Sequence, residues 1–151
     1  MSEIRVDNIT DEAGTGSPEI VDHYKKSNIL GTVSQSGGVP TGAIIESGSN
    51  ANGEFVKYAD GTMICTMSDD REIDTNTDSV LNGGRFLLRD DLSFPATFIS
   101  IPTMSAQSSD SAAWVNPRLH TTTTFRYVTY TNEGSDRGSR TTRLTAIGRW
   151  F

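Results

Sequence analysis

The chain has one cysteine, two histidines and no long apolar run among its 151 residues. The single cysteine, Cys65, excludes an intramolecular disulfide framework and a cysteine-based zinc site. The histidines, His23 and His120, lie in different regions and lack the spacing of a metal-binding pair, so no metal or other cofactor is expected. No apolar run approaches the ~18 residues of a transmembrane helix, and no basic segment followed by an apolar one opens the chain. Membrane insertion and Sec secretion are therefore not expected.

Large apolar residues are also scarce, whereas hydroxyl side chains are abundant. Leu, Ile, Val and Phe total 32 residues, or 21% of the chain, and Ser and Thr total 36 residues, or 24%. The length suits one domain with an appendage. A lean core with a hydroxyl-rich surface predicts a small all-β module that gains stability by burying surface against copies of itself.

Charge is distributed unevenly along the chain, whose net charge is −6. Residues 1–110 carry 7 basic and 17 acidic groups, whereas residues 111–151 carry 6 basic and 2 acidic groups. An acidic body with a basic end does not resemble a surface that wraps a polyanion, so nucleic acid is not an expected partner. The basic end is able to meet an acidic polysaccharide or an acidic neighbouring subunit, and the residues expected to pair with such a subunit are Arg137, Arg140 and Arg143.

Turn dipeptides and β-rich runs outline the predicted elements. Asp60-Gly61 is a two-residue hairpin signal between strands over 54–59 and 62–66, and Asn52-Gly53 marks a second turn. Further strands are predicted over 2–9, 97–101, 103–107, 121–131 and 141–150. Surface loops or linkers are predicted over 31–42, 67–84 and 108–117.

The strand over 121–131 has the strongest pattern, because it consists of β-branched and aromatic residues. Alternation places Phe125 and Tyr127 on one face and Arg126, Val128 and Tyr130 on the other. One face is expected to build a sandwich core and the other to meet a neighbour or a ligand.

A resemblance to a known family is carried by several segments in a fixed order. They are SGSNANGEFVKYADGTMICT (47–66), LSFPATFISIPTMS (92–105), TTTTF (121–125) and LTAIGRWF (144–151). Together they resemble C-terminal modules of bacteriophage tail-fibre and tail-spike proteins, which look like the H-type lectin fold, a small antiparallel β-sandwich that usually trimerises. The opening segment IRVDNITDEAGTGSPE (4–19) resembles a recurrent N-terminal segment of phage fibre proteins.

The resemblance implies three regions and a location on the virion. Residues 1–30 are expected to be a virion-anchoring strand and loop, residues 31–42 a Gly/Ser-rich linker, and residues 43–151 an antiparallel β-sandwich that serves as the receptor-binding fibre domain. The implied protein is made in the host cytoplasm, forms a homotrimer and attaches to other virion proteins through its N-terminal segment. It adsorbs to the host as a tail-fibre, tail-tip or head-fibre protein, by lectin-like, non-catalytic binding of a bacterial surface glycan.

A purely structural function is the alternative. A head fibre, a head decoration protein or a tail-assembly connector would contact only other virion proteins, and it would need the same anchoring peptide.

Candidate ligand-binding residues cluster within 17 positions. Sugar sites commonly stack an aromatic ring on the apolar face of a pyranose and bind its hydroxyls with Arg, Asn, Asp or His. The residues with these chemistries are Trp114, Asn116, Arg118, His120, Arg126 and Tyr130. Aromatic and Arg side chains are also enriched at protein interfaces, so the same residues suit contacts between protomers. Exposure at a tip distal to the N-terminus would favour recognition, whereas burial between protomers would favour a structural role.

Several other residues have side chains that can act as catalytic or reactive groups. Asp69, Asp70, Asp90 and Asp91 supply paired carboxylates, which are the catalytic groups of glycoside hydrolases. Phage depolymerases, however, usually place such sites on long β-helices with many repeats, which this chain lacks, so no enzymatic activity is expected. Cys65 is expected to be a buried small apolar residue rather than a reactive thiol.

An acidic stretch resembles the start of a calcium loop, with oxygen ligands at Asp74, Asn76 and Asp78. An EF-hand would continue with Gly and Glu where this chain has Ser79 and Arg85. A solvated acidic loop is therefore favoured over a bound cation.

Overall fold

A computed structural model describes residues 29–72, 79–81, 84–109, 112–118, 121–131 and 139–151. Within these ranges, the side chains of residues 71, 72, 79–81, 84–86 and 90 are not described. The sequence predictions that fall outside the description are those for residues 1–28, for 74–78, for His120 and Arg137, and for the Asp90 side chain.

The described residues form eleven β-strands. They are β1 (Gln35–Ser36), β2 (Val39–Pro40), β3 (Ile45–Asn50), β4 (Gly53–Tyr58), β5 (Thr62–Glu72), β6 (Ser79–Leu81), β7 (Gly84–Ser93), β8 (Thr103–Ser108), β9 (Ala113–Arg118), β10 (Thr124–Thr131) and β11 (Ser139–Arg149). One sheet has the order β3-β4-β5-β11-β8, a second has the order β6-β7-β10-β9, and β1 pairs with β2. All strand pairs within these sheets are antiparallel, which confirms the predicted all-β, sandwich-like fold. Among the described residues there is no helix long and apolar enough to cross a membrane.

The core lies between the five-stranded and the four-stranded sheet. Alternate residues of β5 and β11 face inward and meet the inward face of β10, as expected for strands with one buried face. The buried cluster comprises Met63, Cys65, Met67, Phe94, Phe98, Phe125, Tyr127, Leu144 and Ala146. As predicted, Phe125 and Tyr127 therefore belong to the core face of β10.

The segment 94–102 crosses from one sheet to the other and is not the strand predicted over 97–101. The Phe98 N–H donates to the Thr122 carbonyl in the segment before β10, whereas the Ile99 N–H donates to the Arg149 carbonyl at the end of β11 in the opposite sheet. The crossing carries Phe98 into the core, where its ring lies edge-on to that of Phe94 at a centroid distance of 5.1 Å. Phe98 is therefore apolar because of its core contacts rather than because of strand pairing.

Two segments predicted as loops are largely strands. β5 continues through the polar residues to Glu72, because β11 pairs with it along its whole length. The stretch predicted as a loop around Trp114 is β9, whose partner is β10. Pro117 fits this strand because β9 lies at the edge of its sheet, where a missing N–H is tolerated. In both cases the partner strand lies far away in sequence, so local composition conceals the pairing.

A bulge in β7 turns two residues toward the core. Tyr127 lies opposite Arg89 and Phe125 lies opposite Leu92, so β7 has one residue more than β10 over this interval. Asp91 has a φ of 57°, a left-handed conformation that occurs at bulges. The extra residue shifts the alternation, so that Arg89 and Leu92 both lie on the inner side.

The five-stranded sheet defines two ends of the molecule. Leu30, near the start of the described chain, bridges to Ile45 at the beginning of β3. We call this end, where β5 also starts at Thr62, the base. The opposite end, where Glu72 pairs with Ser139, is the tip.

The predicted linker contains a short hairpin. Gly37 and Gly38 have positive φ angles of 59° and 85°, which suit the two-residue turn between β1 and β2. Next to this hairpin Val33 is buried, and its N–H donates to the Glu46 carboxylate at 2.9 Å. The division into an anchor, a linker and a sandwich stays a prediction.

Candidate functional site

Five of the six candidate residues share the outer face of the four-stranded sheet. In β9, the exposed residues Trp114, Asn116 and Arg118 alternate with residues turned toward the core. In β10, Arg126 lies opposite Arg118 and Tyr130 lies opposite Trp114. Residues directly opposite each other have Cβ atoms about 4.5–5.5 Å apart. These five side chains therefore form one surface, which we call the β9–β10 face.

Two aromatic residues of this face, Trp114 and Tyr130, stack on each other. The rings of Trp114 and Tyr130 are nearly parallel, with an interplanar angle of 16° and a centroid distance of 6.0 Å. Trp114 nevertheless remains 51% exposed. Tyr130 thus supports an indole ring whose remaining surface is open, an arrangement that can stack on the apolar face of a sugar.

Polar groups continue the face along the strands. Asn116 is exposed and lies opposite Val128, so it stands between the aromatic pair and the two arginines. Tyr130 lies four positions after Arg126, which corresponds to about 13 Å at the usual rise of a strand. The face therefore offers an aromatic platform, an amide and two guanidinium groups in a row longer than one sugar ring.

The aromatic pair lies toward the tip of the sandwich. The Tyr127 hydroxyl reaches Asp69, and Phe125 lines a cavity with Met67, so β10 runs in the same direction as β5. Tyr130 comes three residues beyond Tyr127 and is therefore displaced further from the base. Trp114 and Tyr130 therefore lie nearer the end of the sandwich that is opposite to residues 29–45.

A second polar cluster lies between the two sheets, where Asp69 of β5 meets Tyr127 of β10 and Arg89 of β7. Asp69 accepts hydrogen bonds from the Tyr127 hydroxyl at 2.6 Å and from the Arg89 Nε at 2.7 Å. Burial and, to a smaller extent, the hydrogen bond to Asp69 raise the pKa of Tyr127, and the same carboxylate raises the pKa of Arg89. The cluster is not recognisable from the sequence, because its members come from three strands and only the pairing of those strands brings them together.

The neighbouring acids Asp69 and Asp70 do not form a facing pair. Successive residues of a strand point to opposite faces, and Asp70 accepts a hydrogen bond from the Thr141 hydroxyl at 2.5 Å on the outer side. Asp69 is engaged by Arg89 and Tyr127. These two residues are therefore not arranged as the two acids of a glycosidase.

A cleft of about 150 Å³ lies beside Asp69, and its lining includes Asn52, Met67, Leu92 and Phe125. None of the five residues of the β9–β10 face lines it.

Two of the C-terminal arginines differ in exposure. Arg140 is only 6% exposed, so the expectation that it pairs with a neighbouring protomer is wrong. Its position on the inward-facing side of β11 explains the difference, since the alternation of that strand buries it together with Thr142 and Leu144. Arg143 lies on the outer side and is exposed.

Cys65 is fully buried in the core, as predicted. Burial raises the pKa of its thiol to about 11, so the group is protonated at neutral pH. Among the described residues, no group of three or more His, Cys, Asp or Glu side chains comes together as a metal site would require.

Comparison with solved structures identifies relatives of the fold. An N-truncated R1-type pyocin tail fibre is 20% identical, with a TM-score of 0.53, over 70% of this chain and 88% of that one. A longer fragment of the P. aeruginosa R1 pyocin fibre gives the same identity and TM-score, and the match covers 70% of this chain and 29% of that fragment. No family model and no curated protein matches. The chain has a tail-fibre-like fold, whereas the likeness to H-type lectins and the N-terminal anchor stay predictions.

Proposed function

We propose that the chain is a phage virion protein, a fibre or tail-tip component, that adsorbs to bacteria by binding a surface glycan through the β9–β10 face. The observation that carries this proposal is the half-exposed Trp114, supported by Tyr130 and followed by Asn116 and two arginines on the same face. The tail-fibre-like fold supports the virion location. Binding needs no catalytic step, and none is assigned.

The proposed assembly is a homotrimer, supported by exposed apolar residues near both edges of the five-stranded sheet. Ile99 and Ile101 precede the edge strand β8 and are 63% and 62% exposed, while Leu30 and Ile44 lie beside the other edge strand, β3, and are 52% and 53% exposed. A contact between unlike edges is heterologous and closes into a ring when the rotation permits. Three copies would raise a weak single-site affinity through effective concentration.

The orientation of the chain supports attachment through the N-terminal segment. Residues 29–45 join the sandwich at its base, and the Trp114–Tyr130 pair lies toward the tip. An anchor that precedes residue 29 would leave the Trp114–Tyr130 pair at the end of the sandwich that lies away from the virion.

Adsorption of the purified chain tests the proposal. Labelled protein is expected to bind host cells saturably and to slow adsorption of the phage that carries it. Mild periodate oxidation of the cell surface, which cleaves vicinal diols, is expected to abolish the binding. A folded trimer that neither binds cells nor competes with the phage would contradict the proposal and favour the purely structural alternative. Binding that survives periodate would contradict a receptor whose recognised sugar unit carries a free vicinal diol.

A further inference from the structure

We propose that the outer face of the five-stranded sheet carries a second carbohydrate site, which binds a neutral sugar unit between Glu54 and Arg143. This inference goes beyond the proposed function, because the site lies on the other sheet and shares no residue with the β9–β10 face. Its basis is a groove whose polar side chains have no partner within the described part of the chain.

The groove exists because neighbouring strands of the five-stranded sheet differ in length. The turn between β3 and β4 lies beside Thr66 and Met67, whereas β5 continues to Glu72 with β11 as its partner. The sheet therefore loses two strands at this level, and a groove of about 500 Å³ lies at the step. That volume is within the ~300–1,000 Å³ of sites for small ligands. We call it the β5 groove.

Strand pairing brings the polar side chains of the β5 groove together. Thr66 lies opposite Glu54 on one side and opposite Thr145 on the other. Ser68 lies opposite Arg143. The neighbours of these residues in β5 and β11 face the core, so by alternation these side chains face outward. The polar side chains that line the groove on this face are Ser49, Glu54, Thr66, Ser68, Arg143 and Thr145.

The hydrogen-bonding capacity of these six side chains is unused. Among the described residues, none of them has a hydrogen-bond or ion-pair partner, whereas Glu46 is paired with Lys57 and Asp69 with Arg89. Glu54 and Arg143 are two strands and two residues apart, which corresponds to about 12 Å between their Cα atoms. A small molecule between them can therefore contact both charged groups.

The wall of the groove at the β3–β4 turn is held in place before any ligand binds. The Asn50 side chain donates to the Pro95 carbonyl at 2.8 Å and accepts the Asn52 N–H at 2.9 Å. Gly53 has a φ of 136°, and a side chain at this position would collide with the Thr66 carbonyl, so only glycine lets the turn lie this close to β5. A site that is ordered in advance loses less free energy on binding.

The mixture of groups in the groove fits a neutral sugar. The Glu54 carboxylate only accepts hydrogen bonds, the Arg143 guanidinium only donates them, and the Ser and Thr hydroxyls do both. Sugar hydroxyls also do both, so they can satisfy all three kinds of group. An anionic ligand would be repelled by Glu54 and a cationic one by Arg143, and the two charges cancel for a neutral ligand.

The β5 groove differs from the β9–β10 face in how it would recognise a sugar. None of its lining residues is aromatic, so binding depends on hydrogen bonds to individual hydroxyls rather than on ring stacking. A site that hydrogen-bonds a ligand hydroxyl rejects an analogue that lacks the group there, because its own polar groups are left unpaired. The groove is therefore expected to distinguish sugars that differ in the configuration of one hydroxyl.

Amide NMR spectra of the full-length chain separate the two sites. The probes are the methyl glycosides of glucose, mannose and galactose, together with the corresponding uronic acids. Signals of Thr66, Ser68 and Thr145 report the β5 groove, and the indole N–H of Trp114 reports the β9–β10 face. The variants are Glu54→Gln, Arg143→Gln and Thr66→Val. The matched control is Thr103→Val, which removes a hydroxyl from the same outer face but outside the groove. Thermal unfolding without ligand verifies the fold of each variant.

The expected result is a saturable shift of the three groove amides with at least one neutral glycoside, and about tenfold weaker binding of its epimer and of its uronic acid. Glu54→Gln and Arg143→Gln are expected to weaken the binding about tenfold and Thr66→Val about fivefold, while Thr103→Val binds as the parent does.

Two results would overturn the inference and leave the proposed function intact. They are saturable shifts at the Trp114 indole alone, and equal affinities of the Thr66→Val and Thr103→Val variants. A uronic acid that binds the groove as tightly as its neutral parent would overturn the assignment of a neutral ligand. Saturable shifts at the groove amides alone would support the inference and count against the β9–β10 face as a sugar site.

Discussion

Replacing Tyr127 by phenylalanine removes one hydrogen bond from the interior and leaves the aromatic packing in place. Tyr127 is completely buried, and its hydroxyl donates to the Asp69 carboxylate at 2.6 Å. Hydrogen bonds to charged groups contribute about 1.5–3 kcal/mol to stability. Because Asp69 keeps its contact with Arg89 at 2.7 Å, the loss is expected at the lower end, about 1.5–2 kcal/mol. For a domain of this size, that corresponds to a decrease in Tm of about 5–10 °C.

The assay is urea and thermal unfolding of the Tyr127→Phe variant beside a matched control. Tyr58→Phe removes a hydroxyl that has no hydrogen bond to a described residue, and it is expected to change stability by less than about 0.5 kcal/mol. Asp69→Asn should cost more than Tyr127→Phe, since it also leaves the half-buried Arg89 without its counterion. Equal losses in the two Tyr→Phe variants would refute the cluster as a stabilising contact.

Three further predictions concern the core and the bulge. The free energy of unfolding should fall as the pH rises from 9 toward 11, because the unfolded Cys65 thiol ionises near its ordinary pKa of 9.0 whereas the buried thiol has a pKa of about 11. Urea midpoints at stepped pH should show a shallower fall for Cys65→Ala, and an identical slope would contradict this cause. Phe98→Ala should cost about 3–5 kcal/mol because the side chain is only 2% exposed, whereas Ile99→Ala next to it should cost less than about 1 kcal/mol, and thermal unfolding of both checks this. Asp91→Gly should keep or slightly raise the Tm because the residue has a φ of 57°, whereas Asp91→Val should lower it, and the reverse order would exclude the left-handed bulge.

Local turn chemistry and alternation predicted part of the fold. The hairpin at Asp60-Gly61 and the core face of β10 are encoded within a few residues, and both are confirmed. The strand predicted over 97–101 is wrong for a different reason. Phe98 is apolar because the crossing segment places it in the core, not because it pairs with another strand. A local pattern reports burial, but it does not report which partner provides it.

The candidate surface was recognisable by residue chemistry before its geometry was known. Trp114, Asn116 and Arg118 recur at every second position, which is the alternation of a strand, but Pro117 and the polar neighbours favoured a loop. Only the pairing with β10 places them opposite Arg126 and Tyr130. Whether this surface binds a ligand stays a prediction.

The cluster of Asp69, Arg89 and Tyr127 could not be predicted from the sequence. Asp69 and Tyr127 lie 58 positions apart, and the strand that carries Asp69 was predicted to end at residue 66. Without the continuation of β5 to Glu72 and the bulge at Asp91, nothing in the sequence aligns Arg89 with them.

Cell binding by the Trp114→Ala variant tests the central claim most directly. An aromatic residue that becomes buried at the centre of a binding site commonly contributes about 2 kcal/mol or more to the binding free energy. The variant is therefore expected to bind host cells at least about tenfold more weakly than the parent. Val39→Ala is the control, since it shortens a side chain that is 63% exposed in the β1–β2 hairpin, near the base. The account predicts a loss for Trp114→Ala alone, with both variants folded and assembled as the parent is. Unchanged binding by Trp114→Ala would contradict the β9–β10 face as the site of host recognition.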